Sequence, residues 1–129
     1  MLKDKTIGFI GGGNMAEALI KGLLAGGTPA TGLIVAEPYA ERRTFLAGQY
    51  GVSCVEDNGT AVAGSDVTIL AIKPQVADKV LQGIGAVETA GKLFISIMAG
   101  VKIATIEAAF PGEVRVVRVM PNTPALVLE

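Results

Sequence analysis

Apolar positions recur along this chain at two alternating spacings. Short runs of strand length, Thr6 to Ile10, Gly32 to Ala36, Gly51 to Val55, Asp66 to Ile72, Lys92 to Ile97 and Glu113 to Val119, are dense in aliphatic and β-branched residues. Between them, Asn14 to Leu24, Ala40 to Tyr50, Gly59 to Ala63, Val76 to Ile84 and Lys102 to Phe110 carry amphipathic, helix-length patterns. A strand that is apolar on both faces, followed by a helix that leads to the next strand, is the rhythm of a parallel sheet covered on both sides. The pattern predicts an α/β fold with a doubly wound, mostly parallel six-stranded sheet, and Val67 to Ile72, the most continuously apolar run, is expected at its centre.

Composition narrows the reading without changing it. The chain has 129 residues, half of them hydrophobic, enough for one compact core. Its 17 glycines punctuate apolar runs rather than forming a low-complexity tract, so they read as turns and close approaches. Eleven basic against twelve acidic residues give a net charge of -1, and no basic stripe with interleaved aromatics is present, so no nucleic-acid partner is expected. The single cysteine, Cys54, has no internal disulfide partner and reads as a small buried hydrophobe on the third strand. With no histidine, neither a metal site nor a Ser-His or Cys-His pair is expected. Lys3 and Lys5 before an apolar run superficially resemble a secretion signal, but Asn14, Glu17 and Lys21 interrupt it, so a cytoplasmic protein with no membrane contact is expected.

The strongest local motif is Gly8-Phe9-Ile10-Gly11-Gly12-Gly13-Asn14-Met15-Ala16, a strand running through a glycine turn into a helix. Gly11 permits the turn, Gly13 lets a pyrophosphate approach the backbone, and Ala16 is where a small residue packs helix on strand. The free N–H groups of the helix N-terminus then face the phosphates. This is the Rossmann arrangement, with S-adenosylmethionine enzymes as the competing users of such a loop. Glu37 stands at the end of the second strand, about 20 positions on, where an acid reads the adenosine ribose and favours NADH. Arg42 and Arg43 follow closely and offer an alternative reading, pairing with a 2′-phosphate; the bland reading makes all three solvated charges.

Three further loops fall at strand C-termini, where an open parallel sheet binds ligands. They are Ala71-Ile72-Lys73-Pro74-Gln75, Ser96-Ile97-Met98-Ala99-Gly100 and Met120-Pro121-Asn122-Thr123-Pro124. Pro74 fixes a sharp exit, Gly100 removes bulk, and Asn122 with Thr123 places polar groups where a nicotinamide and substrate meet. Asn58 opens the third helix, as an N-cap or as a contact to adenosine. Lys73 is more simply a solvated charge than a proton donor.

Taken in order, these segments resemble the pyrroline-5-carboxylate reductases, which reduce a cyclic imine to L-proline. The resemblance rests on the glycine motif, on Asp66-Val67 through Ala71-Ile72-Lys73-Pro74-Gln75, on Ser96-Ile97-Met98-Ala99-Gly100-Val101, and on Arg115 through Arg118-Val119-Met120-Pro121-Asn122-Thr123-Pro124-Ala125. It implies NADPH or NADH as cofactor, with Ile10, Gly11, Gly12, Gly13, Asn14 and Met15 at the pyrophosphate and Glu37 and Asn58 at the adenosine end. Ala71, Ile72, Lys73 and Pro74, with Ile97, Met98 and Ala99, would line the nicotinamide side, and Asn122 and Thr123 would stand near the reacting atoms. Where the family often has a neutral residue or an Asn-Arg-like pair, this chain has Glu37-Pro38, which shifts the expectation toward NADH. The family's second, all-helical domain, which supplies dimerisation and most of the imino-acid pocket, is absent from these residues, so the chain reads as a cofactor-binding fragment of a homo-oligomeric enzyme. Two rival readings remain open from the residues: another dehydrogenase of the 6-phosphogluconate type, and a nucleotide-sensing Rossmann module without catalysis.

Overall fold

The computed structural model describes residues 4–119. Six strands, β1 (Ile7–Ile10), β2 (Leu33–Ala36), β3 (Ser53–Val55), β4 (Val67–Leu70), β5 (Leu93–Ser96) and β6 (Arg115–Arg118), alternate with α1 (Asn14–Ala25), α2 (Ala40–Tyr50), α3 (Asn58–Ala63), α4 (Ala77–Ile84) and α5 (Ile103–Glu107). They form a single sheet in the order β3-β2-β1-β4-β5-β6. Every strand pair in it is parallel. β1 and β4 lie at the centre, as expected for their near-complete burial.

Residues alternate across the sheet and so build two cores. Ile7 and Phe9 of β1 join Leu33 and Val35 of β2 beneath Ala16 and Ile20 of α1 and Leu46 of α2. Ile10, Leu70 and Phe94 face the other way, onto Ala61 and Val62 of α3, Leu81 and Ile84 of α4 and Ile106 of α5. Removing each of these large side chains from water contributes about 1.5–3 kcal/mol, which is what anchors short helices such as α3 and α5. Ala16 is fully buried, as its place in the glycine motif predicts.

One contact in the centre of the sheet is polar. The Ser65 hydroxyl donates to the Ala61 carbonyl at 2.8 Å and lies 2.9 Å from Thr68 Oγ1 of β4. It also sits against Gly8: a Cβ there would approach Ser65 Oγ to 2.7 Å and the Ala61 carbonyl to 3.1 Å. Gly8→Ala is therefore expected to lower stability by about 1–3 kcal/mol, as overpacking does. An unchanged midpoint in urea denaturation would show that α3 yields at no cost.

Several boundaries differ from those the sequence predicts, for physical reasons. Gly51 takes a left-handed φ of 74° as the C-cap of α2, so β3 begins only at Ser53. Asp57 rather than Asn58 caps α3, its carboxylate accepting from Thr60 N at 2.9 Å. Pro74–Val76 forms a single 3-10 turn, and α4 starts after it. α5 stops at Glu107, short of the predicted Phe110, because Pro111 disfavours helix at the residue before it. Phe110 instead turns inward against Phe94, with ring centroids 5.0 Å apart.

Candidate functional site

The sheet order places β1 beside β4, with the chain winding outward from that pair in both directions. At this reversal the loops leaving the two strands diverge and open a crevice at their C-terminal ends. The register brings Ile10, Ala36 and Leu70 to one level, so the three loops begin side by side. Gly11 donates to the Ala36 carbonyl and Ala71 to the Ile10 carbonyl, both at 2.9 Å, extending the ladder by one step before the chain turns away.

Most of the predicted site residues line two neighbouring cavities. Ile10, expected at the pyrophosphate, is instead fully buried in the core because its side chain points into the sheet's packed face. Gly12 lines neither cavity because both its backbone groups are taken by Glu37 and Arg42, and Glu37 borders a separate hollow. Gly13, Asn14, Met15, Ala71, Ile72, Lys73, Pro74, Ile97, Met98 and Ala99 line the first cavity, of about 380 Å³. Three separate stretches of sequence meet there, in front of the N-terminus of α1. A Cβ at Gly13 would meet nothing within 4 Å, so the backbone on this side is open to an incoming group. Met98 is buried beneath the cavity floor. Gly100, expected to remove bulk, has open space around it and is needed for its φ of 76°.

The second cavity, of about 470 Å³, is lined by Gly11, Ala36, Pro38, Tyr39, Glu56, Asn58, Ile72 and, from the far side, Val76, Lys79, Val80 and Gly83. Asn58 lines this cavity, while Asp57 does the capping. The side contributed by α4 and its entry turn was missed from sequence. Its signal was present, because positions 76, 79, 80 and 83 share one helical face. Ile72 borders both cavities, and Gly11 lines the second. Asn122 and Thr123 lie outside the described residues. Among the described residues, no group of three or more His, Cys, Asp or Glu is placed to hold a metal ion, and no helix is long and apolar enough to cross a membrane.

Glu37 corrects the bland reading of a solvated charge, for it is only 6% exposed. One carboxylate oxygen accepts from Gly12 N at 2.9 Å and the other from Tyr39 N at 3.0 Å. The arginines are also engaged. Arg42 Nε donates to the Gly12 carbonyl at 2.5 Å and Nη2 to Glu17 at 2.8 Å, while Arg43 donates to the carbonyls of Glu37 and Pro38 at 2.8 and 2.9 Å. The Tyr50 hydroxyl donates to the second oxygen of Glu17. This donation and that of Arg42 hold the Glu17 carboxyl below its ordinary range, while the hydrogen bond to Glu17, with burial, pushes the Tyr50 phenol up. Beside this network, Glu37, Tyr39, Glu41, Arg42 and Phe45 surround an open hollow of about 770 Å³ that reaches Gly13. Cys54 is half-buried rather than buried, and desolvation raises its thiol pKa, which disfavours the thiolate.

Residues 6–100 match the model of the family described as NADP oxidoreductase, coenzyme F420-dependent. The chain belongs to that family. Within this oxidoreductase family it is similar to pyrroline-5-carboxylate reductases. It is 48% identical to the one from Pasteurella multocida over 99% of this chain and 48% of that protein. Among solved structures, a pyrroline-5-carboxylate reductase from Coxiella burnetii superimposes with a TM-score of 0.84 at 36% identity, covering 95% of this chain and 46% of that one. The Plasmodium falciparum enzyme, solved with NADP bound, gives 0.79 at 30% identity over 98% of this chain and 46% of that one. The chain spans about half the length of the curated relatives it matches.

Proposed function

We propose that this chain is the dinucleotide-binding half of a pyrroline-5-carboxylate reductase, which uses NADPH or NADH to reduce 1-pyrroline-5-carboxylate to L-proline. The observation that carries the reading is the convergence of Gly13–Met15, Ala71–Pro74 and Ile97–Ala99 on one crevice at the sheet's reversal point. The relatives at high identity supply the substrate class. The residues fit a dinucleotide on their own geometry. The open backbone at Gly13 and the N–H groups beginning α1 suit a pyrophosphate, and the cavity between Pro38, Asn58 and Val80 suits a flat adenosine end. When bound, the reduced nicotinamide supplies the hydride that a C=N bond accepts.

In this reading the chain's own part is to bind, orient and exclude water. Ala71, Ile72, Ile97 and Ala99 give the nicotinamide side a mostly apolar wall. With no histidine in the chain, the nitrogen of the substrate takes its proton from solvent, from a hydroxyl of the second, helical half, or enters as the iminium. Asn122 and Thr123 are assigned to the region where cofactor and substrate meet, and homo-oligomerisation to the helical half. Action in the cytoplasm follows from the same reading.

The test is a calorimetric titration of the chain with NADH and NADPH side by side. NADH is expected to bind more tightly, because the Glu37 carboxylate opposes a 2′-phosphate and both nearby arginines already have partners. A folded chain that binds neither would overturn the reading.

A further inference from the structure

The peptide of Gly12, in the middle of the glycine loop, is gripped from both sides. Its N–H donates to Glu37 and its carbonyl accepts from Arg42 Nε. Arg42 is in turn held by Glu17 of α1, whose other oxygen is held by the Tyr50 hydroxyl at the end of α2. The guanidinium also lies over the Phe45 ring, 5.2 Å from its centroid. It borders the hollow beside the Glu37 carboxylate, the residue that the reading above sets against the 2′ position of the adenosine ribose. A cation in that position is the natural partner of a 2′-phosphate. Here its donors are directed to Gly12 and Glu17 instead.

Resting on the dinucleotide-binding reading, we propose that Glu17 is a specificity-determining residue: by holding Arg42 as a brace of the glycine loop, it withholds that guanidinium from a 2′-phosphate and biases the site toward NADH. The residue acts from α1, outside the strand-end positions at which such preference is ordinarily sought. Its effect is mediated by Arg42. Because Glu17 is itself anchored by Tyr50, the arginine is held by a fixed carboxylate rather than a freely rotating one, which strengthens its competition with an incoming phosphate.

The experiment is a double-mutant cycle read as the ratio of NADH to NADPH dissociation constants. Glu17→Gln, nearly isosteric, is expected to shift the ratio toward NADPH by about tenfold, the equivalent of one charge-assisted hydrogen bond gained at the phosphate. In an Arg42→Gln background the same substitution is expected to leave the ratio where it was. An unchanged ratio in the single variant overturns the proposal. An equal shift in both backgrounds also overturns it, since that marks simple loss of a negative charge from the neighbourhood. A wild-type chain that keeps its thermal transition yet binds neither dinucleotide overturns the cofactor reading itself, and with it this one. Should Glu17→Gln fail to fold, Tyr50→Phe frees one oxygen of Glu17 at constant charge. It is expected to move the ratio in the same direction by about threefold, and no movement overturns the proposal.

Discussion

Gly11→Ala is expected to weaken dinucleotide binding by about 100-fold or more while lowering stability by about 1–3 kcal/mol. Two independent causes act at this residue. Its φ of 100° lies where a side chain is strained whatever the surroundings. A Cβ would also stand 2.6 Å from the Ala71 carbonyl and 2.9 Å from a methyl of Ile72. The obstructing atoms are backbone on one side and a side chain shared by both cavities on the other, so relief of the clash must shift the loop after β4 away from the loop after β1. That displaces the two walls between which the dinucleotide is proposed to lie. The measurement is a titration paired with a thermal melt. A variant that binds like wild type would show that the two loops do not enclose the ligand, whatever its stability.

The second large effect concerns the core rather than the site. Phe94 is fully buried on β5 and packs against Phe110. Phe94→Ala is expected to cost about 3–5 kcal/mol, the sum of lost transfer energy and an unfilled cavity. A marginally stable domain has about 5–15 kcal/mol in total, so the variant should be partly unfolded at 37 °C. Urea denaturation by circular dichroism measures this. A loss below 1 kcal/mol would mean that Phe110, freed to move at the end of its short turn, refills the space.

The strands were legible because a parallel sheet covered on both faces leaves a dense apolar signal, and Val67 to Leu70 gave away the centre by that means. The loops were legible as chemistry because strand ends in such a sheet share one rim. What sequence could not show were the partners of charged groups. Glu37 was read as facing a ribose, but that Gly12 N–H comes within hydrogen-bond distance depends on how β1 and β2 are juxtaposed, not on any local pattern. Arg42 and Arg43 carried the same uncertainty, since a guanidinium chooses among acceptors brought near by tertiary packing. Glu17 and Tyr50 are separated by 33 positions and meet only because α1 and α2 lie on one face of the sheet. The end of α5 was misplaced for a different reason: the amphipathic pattern continues to Phe110, yet Phe110 serves the core from a turn rather than from a helix.

The buried hydroxyl pair of Ser65 and Thr68 bears on states other than the native one. β4 is nearly uniform in shape, so a slip of one residue along β1 would still bury aliphatic groups on both faces. Such a slip would deliver Thr68 to the opposite core, stranding a hydroxyl among Phe9, Val35 and Ile20. The polar contact adds little to the correctly threaded sheet, but it penalises the most accessible wrong threading by the desolvation of an unsatisfied hydroxyl, about 1–3 kcal/mol. In a strand whose hydrophobicity alone would not choose, the side on which Thr68 is buried discriminates between the two registers.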